Sequence, residues 1–367
     1  NNLSSWFSEV GRREEALAAG EEAVDLYREL ARARPDALTP DLAMSLTNLS
    51  SSLSAVGRRE EALAADEEGV DLYRELARAR PDAFTANLAG SLNNLASSLS
   101  DVGRQEEALA VGDEAVDLYR ELARACPDAF TPNLAMALNN LASLLSKVGR
   151  QEEALAAGDE AVDLYRELAR ARPDAFTANL AGSLNNLANR LSAVGRREEA
   201  LAGGEEAIDL YRELARARPD TFTPDLAMSL NNLASWLSEV GRREEALAAG
   251  EEAIDLYREL ALARPNAFTH ELARALSVKG NRLFDLEQWD KATKFLEEAI
   301  RTLDTAFRKF PMAHGQLMVA IGRNYIEACE KAGTKPDDEL LLPAITYLQA
   351  KQEAGRANEP AAENSDN

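Results

Sequence analysis

Between residues 226 and 240 the apolar positions Leu226, Leu230, Leu233, Leu237 and Val240 step by four, three, four and three. That spacing puts them on one face of a helix with 3.6 residues per turn, here termed helix A. A second stripe, Ala246, Leu247, Gly250, Ala253, Ile254, Tyr257 and Leu260, predicts an antiparallel partner, helix B, starting at about Arg243. Gly241 lies between them and can take the left-handed geometry of a tight turn. Glu244 and Glu245 fall in the first turn of helix B, where they complement the positive end of the helix dipole. Thr223 and Pro224 read as the N-cap and first residue of helix A, because a proline there lacks only an N–H without a partner. Pro265 is expected to end helix B, with residues 266–268 leading to the next capping threonine, Thr269.

This hairpin recurs. Gly11, Gly57, Gly103, Gly149, Gly195 and Gly241 are each followed by Arg and then by Glu-Glu-Ala-Leu, a period of 46 residues. Residues 103–148 and 149–194 differ at only 8 of 46 positions, so the register is unambiguous. One such hairpin cannot bury its own apolar face and must stack on its neighbours. The expected fold is therefore all-α, a right-handed α-solenoid of antiparallel helix hairpins. Glycine within helix B (Gly20, Gly112, Gly158, Gly204, Gly250) costs ~1 kcal/mol relative to alanine and is read as a close helix–helix contact, with Asp66 the exception.

The string Asn-Leu-Ala-x-x-Leu-x-x-Val-Gly-x-x-x-x-Ala…Ala…Pro resembles the tetratricopeptide repeat, with Ala234, Ala246, Ala253 and Pro265 at its small-residue and proline positions. The Asn-Asn-Leu-Ala opening of helix A further resembles the long repeats of kinesin light chains and bacterial signalling proteins. The usual repeat of this family is shorter, so a longer helix B and loop are expected here. The aromatic usual after the turn is replaced by Arg59, Gln105, Gln151, Arg197 or Arg243; a seventh unit restores it as Trp289 but has Glu287 in place of the glycine. Residues 1–309 thus read as about seven units, the first truncated. Residues 310–352 read as diverged capping helices (Gly315 to Lys331, then Asp337 to Lys351), and 353–367 as a disordered acidic tail. Asn1 aligns with Asn93 and Asn231, so half a helix A is expected upstream, while the C-terminus reads as a natural end.

Composition narrows the function. A net charge of −22 disfavours nucleic acid and anionic membrane surfaces and points to a basic or mixed-charge partner. Two distant cysteines, Cys126 and Cys329, suggest neither a disulfide framework nor a metal site and fit a reducing cytoplasm. No apolar run reaches the ~20 residues of a membrane span.

No catalytic, metal or cofactor constellation is evident, and the chain is read as a non-enzyme. His270, at a helix start, and His314, in a loop near the cap, lack nucleophile or ligand neighbours. Cys126 replaces the Arg of other copies (Arg34, Arg80, Arg172, Arg218, Arg264) and is not read as a nucleophile. The paired acidic residues of helix B fall opposite its apolar stripe, on a solvated face.

The asparagines carry the functional expectation. Asn48, Asn94, Asn140, Asn186 and Asn232, with Asn2 in the truncated copy, precede a core leucine of helix A. In the related repeats helix A lines the concave surface and the matching asparagine contacts bound peptide backbone. An amide suits this, offering donors and an acceptor to an extended chain; bridging of adjacent repeats is the equal alternative. Asn93, Asn139, Asn185 and Asn231 are second-choice contacts. Copies also differ at Trp6, Ser52, Ser98, Leu144, Arg190 and Trp236, and three residues later, which reads as a tuned binding face. Met44, Gly90, Met136, Gly182 and Met228 alternate, so thioethers would punctuate the groove. The expected role is a scaffold binding a protein or peptide, with no cofactor. The resemblance implies, as the alternative, the C-terminal sensor arm of a larger bacterial signalling protein, NLR-like, with a STAND ATPase or a protease effector. The half-hairpin at Asn1 to Gly11 offers an apolar face for self-association.

Overall fold

The computed structural model describes residues 13–357. The readings placed on Asn1, Asn2, Trp6, Gly11 and residues 358–367 lie outside them. The described residues form fifteen helices: α1 (Arg13–Ala33), α2 (Pro35–Ala55), α3 (Arg59–Ala79), α4 (Pro81–Asp101), α5 (Gln105–Ala125), α6 (Pro127–Lys147), α7 (Gln151–Ala171), α8 (Pro173–Ala193), α9 (Arg197–Ala217), α10 (Pro219–Glu239), α11 (Arg243–Ala263), α12 (Pro265–Asp285), α13 (Trp289–Lys309), α14 (Pro311–Ala332) and α15 (Asp338–Ala357). Odd numbers up to α13 are helix B and even numbers up to α14 are helix A. Two compact units divide the chain, residues 1–196 and 197–367. In each, every helix packs on the next in sequence, which is an all-α repeat solenoid.

Burial follows the sequence periodicity. In the first unit Leu92 and Leu138 of helix A and Ala108 and Ala154 of helix B are fully enclosed; in the second, Leu230, Leu276, Leu296, Leu303 and Ile321 are. Alanine where two helices meet lets their backbones approach closely. The outer faces of helix B are charged and stitched from one repeat to the next: Arg74 pairs with Glu114 at 2.7 Å, Arg120 with Glu160 at 2.6 Å and Arg258 with Glu298 at 2.7 Å. Each such exposed pair contributes ~0–1 kcal/mol, so the acidic face supplies solubility more than stability.

The two hairpin connections differ from one another. On the A-to-B side the glycine turn is as expected, with φ +81° at Gly57, +87° at Gly103 and +82° at Gly241. Glu287 holds the same turn at φ +58°, a conformation costly for a residue with a Cβ.

The B-to-A connection corrects the sequence reading. It is one residue long, not a loop: Arg80, with φ −141° and ψ 76°, ends α3 and precedes α4. Helix A begins at the proline expected to end helix B, and Pro40, Pro132 and Pro224 lie inside it. The threonines are therefore not caps; Thr85, Thr177 and Thr269 donate back to the carbonyls of Pro81, Pro173 and Pro265. Thr-Pro looked like a start because proline is tolerated anywhere near a helix N-terminus where its missing N–H is cheap. The long helix B is present as expected, the expected loop is the first part of helix A, and both helices of a full repeat span 21 residues. The joint arginines stack on a phenylalanine four residues on, Arg80 over Phe84 at 4.8 Å and Arg172 over Phe176 at 4.7 Å. Cys126 occupies this joint, exposed and without the cation.

Where the repeat register fades, α14 and α15 follow; α15 runs to Ala357, past the boundary read at 352. Glu353, Ala354, Arg356 and Ala357 are good helix formers, which carries the helix onward across Gly355. His314 is in α14, not a loop. Its ring lies 5.6 Å from that of His270, which sits within α12 and meets Glu271 Oε1 at 3.1 Å. Burial and His270 lower the pKa of His314.

Candidate protein-binding groove

Helix A buries one side on the helix B before it and the other on the helix B after it, leaving a narrow exposed stripe. In the first unit the stripe reads Asn87, Gly90, Asn94, Ser97, Asp101 on α4 and Asn133, Met136, Asn140, Ser143, Lys147 on α6. On α8 it reads Asn179, Gly182, Asn186, Asn189, Ala193. These are partly or fully exposed, and only Asp101 and Lys147 carry charge. In a chain of net charge −22 this surface is close to neutral and rich in amides.

Between α6 and α8 the stripe deepens into a groove of about 360 Å³. Met136, Asn139 and Asn140 form one wall, Ala178, Asn179, Gly182, Ser183 and Asn186 the other, and Tyr165 of α7 lies between. Gly182 presents no side chain where α6 presents Met136, which is 40% exposed, so the groove lies open to solvent beside that methionine.

The two asparagines of each Asn-Asn pair have different surroundings. Among the first-choice set, Asn48, Asn94 and Asn186 reach the surface, and their amides make no hydrogen bond among the described residues. Asn140 donates to Asn93 Oδ1 at 3.0 Å, bridging α6 to α4. Asn232 also has a partner. In the second set Asn93 and Asn185 are buried, and Asn139 donates to Ser183 Oγ of the next helix A while its Oδ1 is buried without a partner. Asn231 is half-buried. Bridging of repeats thus falls mainly to the first asparagine of each pair and exposure to the second.

The variable row read as a binding face is buried instead. Ser52, Ser98, Leu144, Arg190 and Trp236 are each at most 8% exposed. Ser98, Leu144, Arg190 and Trp236 face the helix-B position where most copies carry glycine. A Cβ built on Gly112 would lie 3.0 Å from Leu144, on Gly158 3.2 Å from Leu187 and 3.5 Å from Arg190, and on Gly204 2.0 Å from the Trp236 ring. In copy two the pair is reversed: Asp66 of α3 takes the glycine position and accepts hydrogen bonds from Ser50 and Ser98, both at 2.6 Å. Burial raises the Asp66 pKa despite these two hydroxyls. Arg190 reaches across to Ser143 Oγ at 2.8 Å and the Asn139 carbonyl at 3.2 Å, and burial lowers its pKa. This variation is a set of matched core pairs. The row three residues later, which includes Asp101, Lys147 and Glu239, is exposed.

One polar row escaped the sequence reading. The phenols of Tyr73, Tyr119 and Tyr165 interact with Asn87, Asn133 and Asn179 at the start of the next helix A, and burial raises each tyrosine's pKa. A signal existed: the row reads Asp41, Asn87, Asn133, Asn179, Asp225, Glu271, always amide or carboxylate. In the second unit the row is acidic, and burial with the charges of Asp225 and Glu271 raises the pKa of Tyr257 further. Among the described residues no helix is long and apolar enough to cross a membrane.

Two models of the tetratricopeptide repeat match the sequence, one at residues 88–167 and 180–259, the other at 1–31 and 42–77. No curated protein matches it. The fold is similar to that of BtubC (BKLC) from P. vanneervenii, with 21% identity, TM-score 0.56, and coverage of 68% of this chain and 92% of that one. It is also similar to a STAND protein with a tetratricopeptide repeat sensor from Pyrococcus horikoshii, with 15% identity and TM-score 0.56, over 96% of this chain but 50% of that one. A kinesin light chain-like protein of Podosopora anserina with nearly identical TPR-like repeats aligns at 19% identity and TM-score 0.48, covering 61% and 98%. The 46-residue hairpin, its small residues at the helix contacts and the two matching models together place this chain in the tetratricopeptide repeat family.

Proposed function

We propose that this chain is a non-enzymatic scaffold that binds a peptide or protein along the exposed helix-A stripe of its first unit. The observation that carries this is the amide-rich, nearly uncharged groove around Asn140 and Asn186. Exposed amides such as those of Asn94 and Asn186 suit an extended polypeptide, whose N–H and C=O groups must be satisfied on binding. The negative charge that first suggested a basic partner lies largely elsewhere, on helix B, so the stripe itself does not select for basic ligands. The supporting test replaces Asn140 and Asn186 together by Ala and measures affinity for peptides selected on the intact chain from a random phage-displayed library. At least a tenfold loss is expected from a chain that still folds, with a thermal midpoint lowered by the loss of the Asn140 to Asn93 bond; unaltered affinity would refute the assignment.

A second reading is a sensor arm within a larger signalling protein. It is supported by the likeness to a sensor-bearing STAND protein of which this chain spans half the length. A Gly-rich phosphate loop encoded in frame upstream would support it, and a start codon directly before Asn1 would remove it.

A further inference from the structure

Near the end of the second unit the B-to-A joint changes character. Where the copy before it has Arg264, Asn266 and Thr269, the joint between α13 and α14 has Phe310, Met312 and Gly315. Five earlier copies carry aspartate at the Met312 position, so this joint has lost its cation, its acid and its hydroxyl together. Gly315 makes room for a ring of α15: a Cβ there would lie 2.3 Å from the Tyr347 ring, which meets Phe307 of α13 edge-on at 6.1 Å. These two rings line a cavity of about 550 Å³. Pro311, Met312 and Ala350 complete its apolar walls, and Met312 is 86% exposed. The polar lining is confined to Gln316, Thr346 and Lys351, and the Thr346 hydroxyl is already donated to the Leu342 carbonyl at 2.9 Å.

We propose that this cavity binds a medium-chain aliphatic carboxylic acid, with the chain against the two rings and the carboxylate at Lys351. Its size lies within the ~300–1,000 Å³ of small-molecule sites. Apolar walls reject a polar body, whose groups would be desolvated without partners. The head is selected by charge: Lys351 is the one charged residue lining the cavity, in a chain of net charge −22. Gln316 lines the same cavity and can donate a second hydrogen bond to the carboxylate. The aspartate that earlier copies carry at the Met312 position would repel that head, and the methionine in its place is an adaptable apolar surface for the chain. This site is separate from the helix-A groove of the first unit and stands or falls without it.

The test is calorimetric titration of the intact chain with decanoate, with decanol and decylammonium as matched controls. Decanoate is expected to bind at one site and at least tenfold more tightly than decylammonium. Octanoate, two methylenes shorter, should bind about 15-fold more weakly. Ala350→Trp, which fills the cavity, and Met312→Asp, which restores the residue of the earlier copies, should each weaken decanoate at least tenfold. Both positions are exposed, so the thermal midpoint is expected to hold. Lys351→Glu should weaken decanoate about tenfold and leave decanol unchanged. Absence of decanoate binding, or binding that Ala350→Trp and Met312→Asp both leave intact, would overturn the site. Decylammonium bound as tightly as decanoate would overturn the carboxylate assignment.

Discussion

Two rows on helix A vary between otherwise near-identical copies, and they differ in what covers them. Asp101, Lys147 and Ala193 are exposed, whereas Ser98, Leu144 and Arg190, three residues earlier, are buried. Three residues at about 100° each turn the helix by about 300°, enough to carry a side chain out of the contact with the preceding helix B and into solvent. Variation on the exposed row changes what a partner meets. On the buried row it is answered inside the molecule, by glycine opposite a large side chain or by an aspartate opposite two hydroxyls. Copy-to-copy difference therefore identifies a working surface only after burial has been assigned.

The sharpest way to break this comparison is to fill the hole behind the largest buried knob. Gly204→Ala introduces a methyl where the Trp236 ring already lies, 2.0 Å from the ideal Cβ position. Overpacking of this kind costs about 2 to 3 kcal/mol, more than the helix propensity that alanine adds. Thermal unfolding followed by Trp236 fluorescence should show a clearly lowered midpoint. A midpoint unchanged or raised would mean that Trp236 does not depend on this glycine.

Copy two offers a test of intermediate size. The Asp66 carboxyl has its pKa raised by burial, so the folded state favours the neutral acid. With both states neutral, at a pH below the ordinary carboxylate value of ~3.9, it costs nothing. As pH rises through that value the unfolded chain ionises first, and stability is lost until the folded carboxyl ionises too. Asp66→Asn keeps an acceptor for Ser50 and Ser98 and removes the charge. It should stabilise at pH 7, with the gain vanishing near pH 3. A gain of equal size at both values would show that charge is not the cause.

The period, the two apolar stripes and the glycine turn were legible because each rests on local spacing. The joint was not, since Pro127 and Pro132 satisfy the same local rule for a helix start, and only packing over the whole of α6 shows that both are helical. The candidate asparagines could be listed but not sorted, because Asn93 and Asn94 differ only in direction around the helix, and the neighbouring repeat decides which one is covered. The buried row was misassigned for the same reason: its partners lie about 32 residues away, from Asp66 to Ser98. The tyrosine row was missed because Tyr165 and Asn179 sit on different helices, although both recur through the first six copies as a phenol and a polar partner, giving way to Leu303 and Leu317 in the seventh.

The smallest effect, and the one of opposite sign, belongs to copy six. Gly250 faces no knob: the nearest atom to an added Cβ is the Ala234 methyl at 3.9 Å, ordinary van der Waals contact. The residue on the buried row here is Arg282, which turns aside to donate to Ser235 Oγ at 2.8 Å and leaves the space open. Gly250→Ala then adds helix propensity without a clash and should raise stability by about 0.5 to 1 kcal/mol. Calorimetry on Gly250→Ala and Gly204→Ala, the same substitution at the same repeat position, should give shifts of opposite direction. If both fall together, the glycine position has a common role in every copy; if they diverge, its role is set by the side chain that the following helix A presents to it.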